Sequence, residues 1–539
     1  MPCFEPCFKP AKITESELEA TALAGRKALL ASIRSSGDDY IDSEVFAKTK
    51  DEVECGWLEG PYDPADLPAN AVVSRRFGIK QGSGEKLKVR LIDDFSASGV
   101  NSTVQVDSNA KLHTLDVVAA LCMELLRATP DDEWVGKTVD LSAAYRQLAL
   151  SPKSRWVSFV AVFDPVSKSP KIYSMRALPF GASRSVYGFL RVAHSLWWLG
   201  CKMLKLAWSN FFDDFVTLAR VGESKSVSIA VDQFFKLLGW AVSSGDKDLP
   251  FASRFKALGV EVDLSSWKNG LVRFSNTEQR ATELSEKISE ILHAGKLSVP
   301  EALSLRGRMQ FANSQLWGRA SKLCLNSVTA HTYSGEGPGI SQDLVHYLNI
   351  FKNCLASARP REVTSSWSSP MFLFTDASFS PENSDWPCGL GGVLIDQEGR
   401  QVSAFSCVLD FEALGVLGYP QKSTVIFEAE LLALLVGLML WKKKLRHKPC
   451  VCYVDNNATR DVSIAGKVRT QPGLALVTEL FQLEDEVGLN SWYARVPSAS
   501  NIADGPSRND TSSLTVKPVP NDLALLVVKK LLKKIEICG

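Results

Sequence analysis

The residues of this sequence best suited to chemistry are carboxylates that occur where the predicted strands would not favour an acid. Asp140 ends an apolar, strand-like run, and Asp213 and Asp214 lie inside the apolar stretch 210–216. Asp is rare in strands, and two adjacent carboxylates among Phe side chains would cost several kcal/mol per ion if they were buried without partners. A hairpin tip that presents both acids to Mg²⁺ removes this conflict, because Mg²⁺ prefers oxygen ligands. The alternative is an exposed acidic turn between two strands.

A second series of acids follows a similar pattern. Asp376 ends the apolar run 371–375, and Asp455 ends another strand-like run. Glu430 opens a helix with an apolar face, and Asp504 starts a loop or short helix. Four carboxylates gathered from different elements can bind two Mg²⁺ ions about 3.5–4 Å apart. Taken singly, each acid could equally be an N-cap or a solvent-facing turn residue.

Two α/β segments would have to position these acids. Short β-branched runs alternate with helical patterns from residue 72 to about 272, and a second segment includes the Gly-rich strand 388–395. The region between them is helical, with Gly295 as a stop signal and a capping box formed by Ser298 and Glu301. After the linker stretch 333–341, a short helix is expected around Leu344, Leu348, Phe351 and Leu355.

Composition limits the classes of protein. A chain of 539 residues exceeds what one hydrophobic core usually serves, so two to four domains are expected. The net charge of +1 neither favours nor excludes nucleic acid, because a local basic groove is what binds phosphate. The 12 cysteines include no Cys-x-x-Cys pair, which argues against a zinc site. Without a run suited to a signal peptide or a membrane span, we expect a protein of the cytoplasm or nucleus that is not secreted and has no membrane partner.

Five motifs occur in an order that is typical of one family. They are Asp140-x4-Tyr145, Leu178-Pro179-Phe180-Gly181, Phe211-Phe212-Asp213-Asp214, Lys247 and Leu258-Gly259. Each motif is weak alone, but in this order the chain resembles the reverse transcriptase family. The upstream run 88–95, which contains Arg90, lies where that family has its fingers.

The resemblance implies a role for the first three acids. Asp140 and Asp213 would hold two Mg²⁺ ions, with Asp214 supporting them, and Mn²⁺ is a possible substitute. One metal would activate the primer 3′-hydroxyl, and the other would neutralise charge on the leaving pyrophosphate.

The same resemblance implies contacts with nucleotide and primer. Arg90 would grip the triphosphate at two points with its planar guanidinium. Gly181 would let the backbone approach the template or nucleotide closely, since a Cβ would obstruct it. Lys247 is either a general acid for pyrophosphate or an exposed surface lysine, and Leu258-Gly259 resembles the turn that holds the primer end.

Tyr145 would select the sugar. An aromatic ring beside Asp140 would stack under a deoxyribose and collide with a 2′-hydroxyl, which favours dNTPs as substrates. The alternative is a buried core tyrosine.

Residues 371–509 resemble the RNase H family. The family's order of acids is matched by Asp376, Glu430, Asp455 and Asp504. The resemblance implies that these four hold two further Mg²⁺ ions for cutting RNA in RNA–DNA hybrids. Glu430 fits the family's Glu-Leu-x-Ala helix start better than Glu428, which is expected to be a surface acid. No counterpart is evident for the mobile histidine that many members place shortly before the last acid.

The expected fold is α+β and multidomain: a right-hand polymerase with fingers, palm and thumb, followed by an RNase H-like α/β domain with a mixed sheet. The expected boundaries are 1–70 for an N-terminal helical lead-in, 71–272 for fingers and palm, 273–335 for a helical thumb, 336–370 for a linker, 371–509 for the RNase H-like domain and 510–539 for a tail with a basic helix.

The expected function is RNA-directed DNA polymerase with RNase H activity, acting on RNA and DNA template-primers, RNA–DNA hybrids and dNTPs. Phe180, where retroviral enzymes commonly have Gln, and Phe211-Phe212 make the chain more similar to DIRS-type retrotransposons. Two alternatives stay open: an RNA-dependent RNA polymerase, and a catalytically inactive nucleic-acid-binding protein derived from an element. The basic amphipathic helix 523–537 is either docked with solvated lysines or a contact for nucleic acid or membrane.

Overall fold

The chain divides into two units, residues 1–258 and residues 259–539. The computed structural model describes residues 4–82, 87–245, 248–335, 337–357, 359–365 and 369–538. Each unit combines helices with a mixed sheet. The α+β class expected from the sequence is therefore confirmed.

Unit 1 (residues 1–258) alternates strands and helices. Its strands are β1 (Phe4–Lys9), β2 (Leu58–Tyr62), β3 (Val73–Gln81), β4 (Lys88–Asp94), β5 (Val106–Ala110), β6 (Trp134–Asp140), β7 (Phe159–Asp164), β8 (Ser169–Met175), β9 (Ala207–Phe211), β10 (Asp214–Arg220) and β11 (Arg254–Ala257). Its helices are α1 (Glu15–Ser32), α2 (Asp39–Glu54), α3 (Leu115–Ala128), α4 (Ser183–Met203) and α5 (Ser224–Leu237).

A five-stranded sheet in unit 1 has the order β2-β8-β7-β3-β4, with β3 parallel to β7. Helices α1 and α2 begin at side-chain caps on Thr14 and Asp38, which satisfy backbone N–H groups of the first turn. Leu18 and Val45 on these helices share a buried cluster with Val160 of β7. The N-terminal helices therefore belong to the core of unit 1.

A three-stranded antiparallel sheet of unit 1 has the order β6-β10-β9. Helices α4 and α5 pack on it through aromatic side chains, including Phe189, Phe235 and the buried Trp208 of β9. A Cβ at Gly200 of α4 would collide with the Trp208 ring, so glycine is required at that contact. This packing fixes the hairpin between β9 and β10, which carries Asp213.

Unit 2 (residues 259–539) begins with strands and helices and ends in a larger sheet. Its strands are β12 (Val260–Asp263), β13 (Leu271–Asn276), β14 (Arg361–Thr364), β15 (Met371–Phe379), β16 (Cys388–Ile395), β17 (Gln401–Leu409), β18 (Pro449–Val454) and β19 (Asn490–Arg495). Its helices are α6 (Glu278–Ala294), α7 (Val299–Asn313), α8 (Ala320–Tyr333), α9 (Gln342–Ser357), α10 (Phe411–Leu417), α11 (Ile426–Leu440), α12 (Lys442–Leu445), α13 (Asn457–Ala465), α14 (Gln471–Val487), α15 (Asp504–Ser507) and α16 (Asn521–Cys538).

The five-stranded sheet of unit 2 has the order β17-β16-β15-β18-β19. Strand β15 is antiparallel to β16 and parallel to β18, and β18 is parallel to β19. Residues 428–438 of α11 are all buried, as expected for a helix that is apolar all round. This helix packs against β15, β16 and α14, which places its first turns beside the sheet.

Helices α6 to α9 share a core with this sheet. Leu284 of α6 and Leu348 of α9 belong to the same buried cluster as Leu431 of α11. Helix α6 ends at Gly295 in a left-handed conformation, and α7 begins with a capping box on Ser298. Both local signals predicted from the sequence are confirmed, as is the helix expected around Leu348.

The C-terminal helix α16 is docked on unit 2. Val528, Leu531 and Ile535 are buried, whereas Lys529 and Lys530 are exposed. Of the two interpretations of this basic helix, the docked helix with solvated lysines is the one observed. Among the described residues, no helix combines the length and the apolar character needed to cross a membrane.

Two candidate active sites

The first acidic site consists of Asp140, Asp213 and Asp214 in unit 1. Strand β6 ends at Asp140 and β10 begins at Asp214, and these two residues are partners in the antiparallel register. The backbone N–H of Leu141 donates to the Asp213 carbonyl over 3.1 Å. Strand pairing thus brings together acids from two distant parts of the sequence.

The hairpin that carries Asp213 is tight and strained. Phe211 pairs with Asp214, so only Phe212 and Asp213 form the loop. Phe212 has a φ of 51°, which is a left-handed conformation that bulky residues rarely adopt. The side-chain amide of Asn210 donates to the Phe212 carbonyl over 2.7 Å and helps to hold this turn. Such strain persists only where the surroundings enforce it, and it is concentrated at functional sites.

Ser243 is a part of the first acidic site that the sequence did not indicate. Its hydroxyl donates to Oδ2 of Asp140 over 2.7 Å, and its backbone N–H donates to the Asp140 carbonyl over the same distance. A serine in a polar loop distant in sequence gives no signal of its own, so only the folded chain identifies this contact.

Two of the predicted nucleotide contacts, Tyr145 and Arg90, meet on Phe180. The Tyr145 and Phe180 rings meet edge to face with 5.5 Å between their centroids, and the Arg90 guanidinium carbon lies 4.9 Å from the Phe180 centroid. On its other side, Tyr145 stacks on Phe189 with 4.6 Å between ring centroids. Burial, and then the charge of Asp213, raise the pKa of Tyr145 to about 12. Tyr145 is therefore close to the first acidic site and keeps its proton at neutral pH.

The other residues predicted to contact nucleotide or primer are Gly181, Lys247, Leu258 and Gly259. A Cβ on Gly181, whose φ is 98°, would lie 2.6 Å from the Asp93 carbonyl oxygen. The close approach that requires glycine at this position is to the chain's own backbone, and contact of Gly181 with template or nucleotide stays a prediction. Leu258 and Gly259 have φ values of 50° and 74°, as tight turns require. Lys247 lies outside the described residues.

His113 is a second contact near the first acidic site that sequence reasoning missed. Its Nδ1 accepts a hydrogen bond of 3.2 Å from the backbone N–H of Asn210 in β9. Its ring also lies against His194 and Trp197 of α4. Burial, assisted by His194, lowers the pKa of His113 to about 4, so the ring is a neutral acceptor at physiological pH.

The second acidic site consists of Asp376, Glu430 and Asp455 in unit 2. Asp376 lies on β15, Asp455 directly follows the parallel strand β18, and Glu430 lies near the start of α11. One carboxylate oxygen from each residue lies within 4.8 Å of the other two. Within the part of the chain that the structure describes, no other three Asp, Glu, His or Cys side chains converge in this way.

Burial and mutual repulsion make the second acidic site electrostatically costly. Asp376 and Glu430 are each only 3% exposed. Burial, followed by the charges of Asp376 and Asp455, raises the pKa of Glu430 to about 9. Burial also raises the pKa of Asp376 to about 6, although a hydrogen bond from Ser507 opposes this effect.

These residues fit a divalent cation. Oε2 of Glu430 is buried and has no hydrogen-bond partner among the described residues. A cation would give this oxygen a partner and would neutralise the repulsion among the three carboxylates.

Asp504 lies at the margin of the second acidic site. It is close enough for its charge to raise the pKa of Asp376, but it is partly exposed and accepts a hydrogen bond of 3.0 Å from Arg508. Glu428 is not the surface acid that we expected, because it is 3% exposed. Its Oε1 accepts from Lys422 over 2.7 Å and from Thr470 over 2.8 Å, so the first turn of α11 needs this acid for its packing.

Comparison with known proteins gives a limited result. No family model and no curated protein matches the chain. One similar solved structure is that of the foamy viral protease-reverse transcriptase dRH in complex with double-stranded DNA; it is 16% identical, with 92% of this chain and 75% of that chain covered and a TM-score of 0.48. Another is that of the foamy viral protease-reverse transcriptase in complex with double-stranded DNA, also 16% identical, with coverages of 92% and 89% and a TM-score of 0.47.

Proposed function

We propose that the chain is an RNA-directed DNA polymerase with RNase H activity. The observation that carries the proposal is the presence of two separate carboxylate sites, one in each unit: the first lies where two paired strands meet a tight turn, and the second joins acids from a strand, a helix and a strand end. Enzymes that transfer or hydrolyse phosphodiesters use such carboxylates to hold divalent cations. We assign fingers, palm and thumb to residues 71–335 and an RNase H-like domain to residues 371–509.

At the first acidic site, Asp140 and Asp213 would hold Mg²⁺, with Asp214 supporting them. Cations bound there would supply activation of the primer 3′-hydroxyl and neutralisation of charge on pyrophosphate. Ser243 restricts the Asp140 carboxylate through its hydrogen bond to Oδ2. Arg90, exposed beside Phe180, offers a planar donor pair that suits triphosphate oxygens.

Tyr145 would exclude ribonucleotides. Its ring is fixed between Phe189 and Phe180 and lies near Asp213, so it cannot easily move away from an added 2′-hydroxyl. This rigidity favours DNA synthesis over RNA synthesis. The Phe180 and Phe211-Phe212 residues support a DIRS-type element as the source of the chain.

At the second acidic site, Asp376, Glu430 and Asp455 would hold Mg²⁺, with Asp504 at the margin. Cations bound there would supply activation of water and stabilisation of the leaving 3′-oxygen. The chain's own contribution is to keep three carboxylates together in a buried place where they repel one another. That repulsion makes cation binding more favourable.

The proposal is tested by two activities and two variants of the full-length protein. We expect extension of a DNA primer on an RNA template with dNTPs and Mg²⁺, and cleavage of the RNA strand of a hybrid. Asp213→Ala should reduce extension on the order of 10³-fold or more and spare cleavage, and Asp376→Ala should do the reverse. Asp232→Ala and Glu412→Ala, which alter exposed acids on α5 and α10, are matched controls and should change neither activity.

Three outcomes would contradict the proposal. Extension that survives Asp213→Ala would remove the first acidic site as the polymerase centre. Incorporation of rNTPs as efficiently as dNTPs would favour an RNA polymerase. The absence of both activities in the unmodified protein would favour a nucleic-acid-binding protein without catalysis.

A further inference from the structure

Asp376 is held on both carboxylate oxygens by one short segment of the chain. The Ser507 hydroxyl donates to Oδ2 over 2.6 Å, and the Asn501 side-chain amide donates to Oδ1 over 3.3 Å. The same amide donates to the Thr375 carbonyl over 3.1 Å. Ser507 is 0% exposed and Asn501 is 5% exposed, so water does not compete for these hydrogen bonds.

This segment, residues 501–507, is itself fixed to the sheet. A Cβ on Gly389 would collide with the Ser507 carbonyl oxygen, and a Cβ on Gly391 would lie 2.7 Å from the Ala503 carbonyl oxygen. The two glycines of β16 therefore allow the backbone of the segment to lie directly on the strand. The Gly-rich pattern 388–395 gains a physical explanation from this contact.

Hydrogen bonds from neighbouring strands complete the attachment. The hydroxyl of Ser378 on β15 donates to the Ser507 carbonyl over 2.7 Å, and the hydroxyl of Ser406 on β17 donates to the Pro506 carbonyl over 2.6 Å. The position of the Ser507 hydroxyl is thus set by the backbone around it. Within the described residues, the hydroxyls of these two serines hydrogen-bond to the segment and not to Asp376.

The contrast with Glu430 indicates what the segment does. An ionised carboxylate can accept about four hydrogen bonds or metal contacts, so one donor on each oxygen still leaves lone pairs for a cation. Asp376 has such donors, whereas Oε2 of Glu430 has no partner. Residues that orient a metal ligand in this way commonly change metal affinity or activity about 10–100-fold when they are removed.

We infer that Ser507 and Asn501 are positioning residues for the second acidic site, which hold the Asp376 carboxylate toward Glu430 and Asp455 and thereby set the affinity of the site for divalent cations. The effect on RNA cleavage rests on the proposed function. The effect on cation binding can be measured without it.

The test measures Mn²⁺ binding to the full-length protein by electron paramagnetic resonance of the free ion. Asp140→Asn and Asp213→Asn are combined as a background so that the first acidic site does not contribute. In that background, Ser507→Ala should weaken Mn²⁺ binding roughly 10–100-fold. The matched controls Ser498→Ala and Ser500→Ala each remove an exposed hydroxyl shortly before the same segment and should leave binding within about threefold of the background protein.

Asn501→Ala provides a second variant in case Ser507→Ala does not melt cooperatively. It should weaken binding in the same direction but by less, because its hydrogen bond to Asp376 is longer. Unchanged Mn²⁺ binding in a folded Ser507→Ala protein, or equal weakening in all three serine variants, would overturn the inference.

Hybrid cleavage by the otherwise unmodified protein separates this inference from the proposed function. Ser507→Ala should shift the Mg²⁺ concentration for half-maximal cleavage upward by a similar factor, with recovery at high Mg²⁺. If the unmodified protein does not cleave hybrids while Mn²⁺ binding still depends on Ser507, the proposed RNase H activity fails and the positioning role stands. If cleavage occurs with a Mg²⁺ dependence that Ser507→Ala does not alter, the positioning role fails and the activity stands.

Discussion

The two acidic sites of this chain are assembled by different means. In the first, backbone register sets Asp140 opposite Asp214 beside a strained turn, and the three acids are partly exposed. In the second, a strand, a helix and the end of a parallel strand bring three carboxylates within 4.8 Å of one another. That convergence has no counterpart elsewhere in the described residues, the first acidic site included.

The difference matches what each proposed reaction would bring to the site. Nucleotide phosphates themselves supply oxygen ligands to Mg²⁺ in polymerases, so the protein can leave a more open site. At a site that hydrolyses RNA, the substrates supply only water and the phosphate oxygens of one strand as ligands. More of the cation's ligands therefore have to come from protein carboxylates that are already in place. The buried repulsion at the second acidic site is the energetic cost of that assembly.

Neutralising Glu430 should separate the two sites most sharply. Glu430→Gln preserves the shape of the side chain and removes its charge, so we expect hybrid cleavage to fall on the order of 10²–10³-fold with extension unchanged. The same variant should melt at a higher temperature in EDTA at pH 8, because a neutral amide replaces a buried acid whose ionised form is opposed by burial and by the charges of Asp376 and Asp455. A change of about 1 kcal/mol corresponds to roughly 2–4 °C for a unit of this size.

The raised pKa of Glu430 also predicts how the stability of the folded protein changes with pH. The folded-state pKa of Glu430, about 9, lies above its ordinary value, so the folded protein binds more protons between about pH 4.5 and pH 9. Without metal, stability should therefore fall as pH rises through that window, and the fall should be smaller in Glu430→Gln. Asp485, whose pKa burial raises to about 7, adds a slope of the same sign in both proteins and cancels in the comparison. If stability fell equally with pH in both proteins, the pKa of Glu430 would not be raised in the folded state.

Substitution of Tyr145 tests whether its ring selects the sugar of the nucleotide at the first acidic site. Tyr145→Ala removes the ring between Phe180 and Phe189 and should raise the ratio of rNTP to dNTP incorporation on the order of 10–100-fold, a difference of about 1.4–2.7 kcal/mol. Tyr145→Phe retains the ring and should keep the selectivity of the unmodified protein. Single-nucleotide incorporation kinetics measure both ratios. If Tyr145→Ala still rejects rNTPs, sugar selection occurs elsewhere.

Substitutions of His113 and His194 test how much the hydrogen bond between His113 and the backbone of β9 stabilises unit 1. His113→Phe leaves the N–H of the fully buried Asn210 without its acceptor and should cost about 1–3 kcal/mol of unfolding free energy. His194→Phe is the matched control, because neither ring nitrogen of His194 has a hydrogen-bond partner among the described residues. That control should be neutral or stabilising in chemical denaturation.

The same pair predicts acid sensitivity of unit 1. The folded-state pKa of His113, about 4, lies below its ordinary value of 6.5, so the unfolded chain binds more protons between those values. Stability contributed by His113 should be present above pH 6.5 and lost as pH falls toward 4, and this loss should be absent in His113→Phe. Similar acid sensitivity in both proteins would assign it to other groups.

Local features were the most predictable from sequence. The Gly295 stop, the Ser298 capping box and the helix around Leu348 depend on neighbouring residues, and all three occur as expected. Glu428 was predicted wrongly, because its burial depends on Lys422 and Thr470, which come from separate loops. The need for glycine at position 181 also depends on tertiary structure, since the Asp93 carbonyl that excludes a Cβ is distant in sequence.

The acids themselves could be identified from sequence, because an Asp that interrupts an apolar, strand-like run is a local signal that does not depend on the fold. Which acids converge was decided by tertiary structure: Asp376, Glu430 and Asp455 meet, whereas Asp504 lies at the margin with Arg508. Ser243, His113 and Ser507 had no signal in sequence, because a single hydroxyl or imidazole becomes informative only when folding places it on a carboxylate or a strand edge. Sequence determined the type of chemistry available, since side-chain composition is local. The electrostatic difference between the two sites was decided by burial and distance, which only the folded chain possesses.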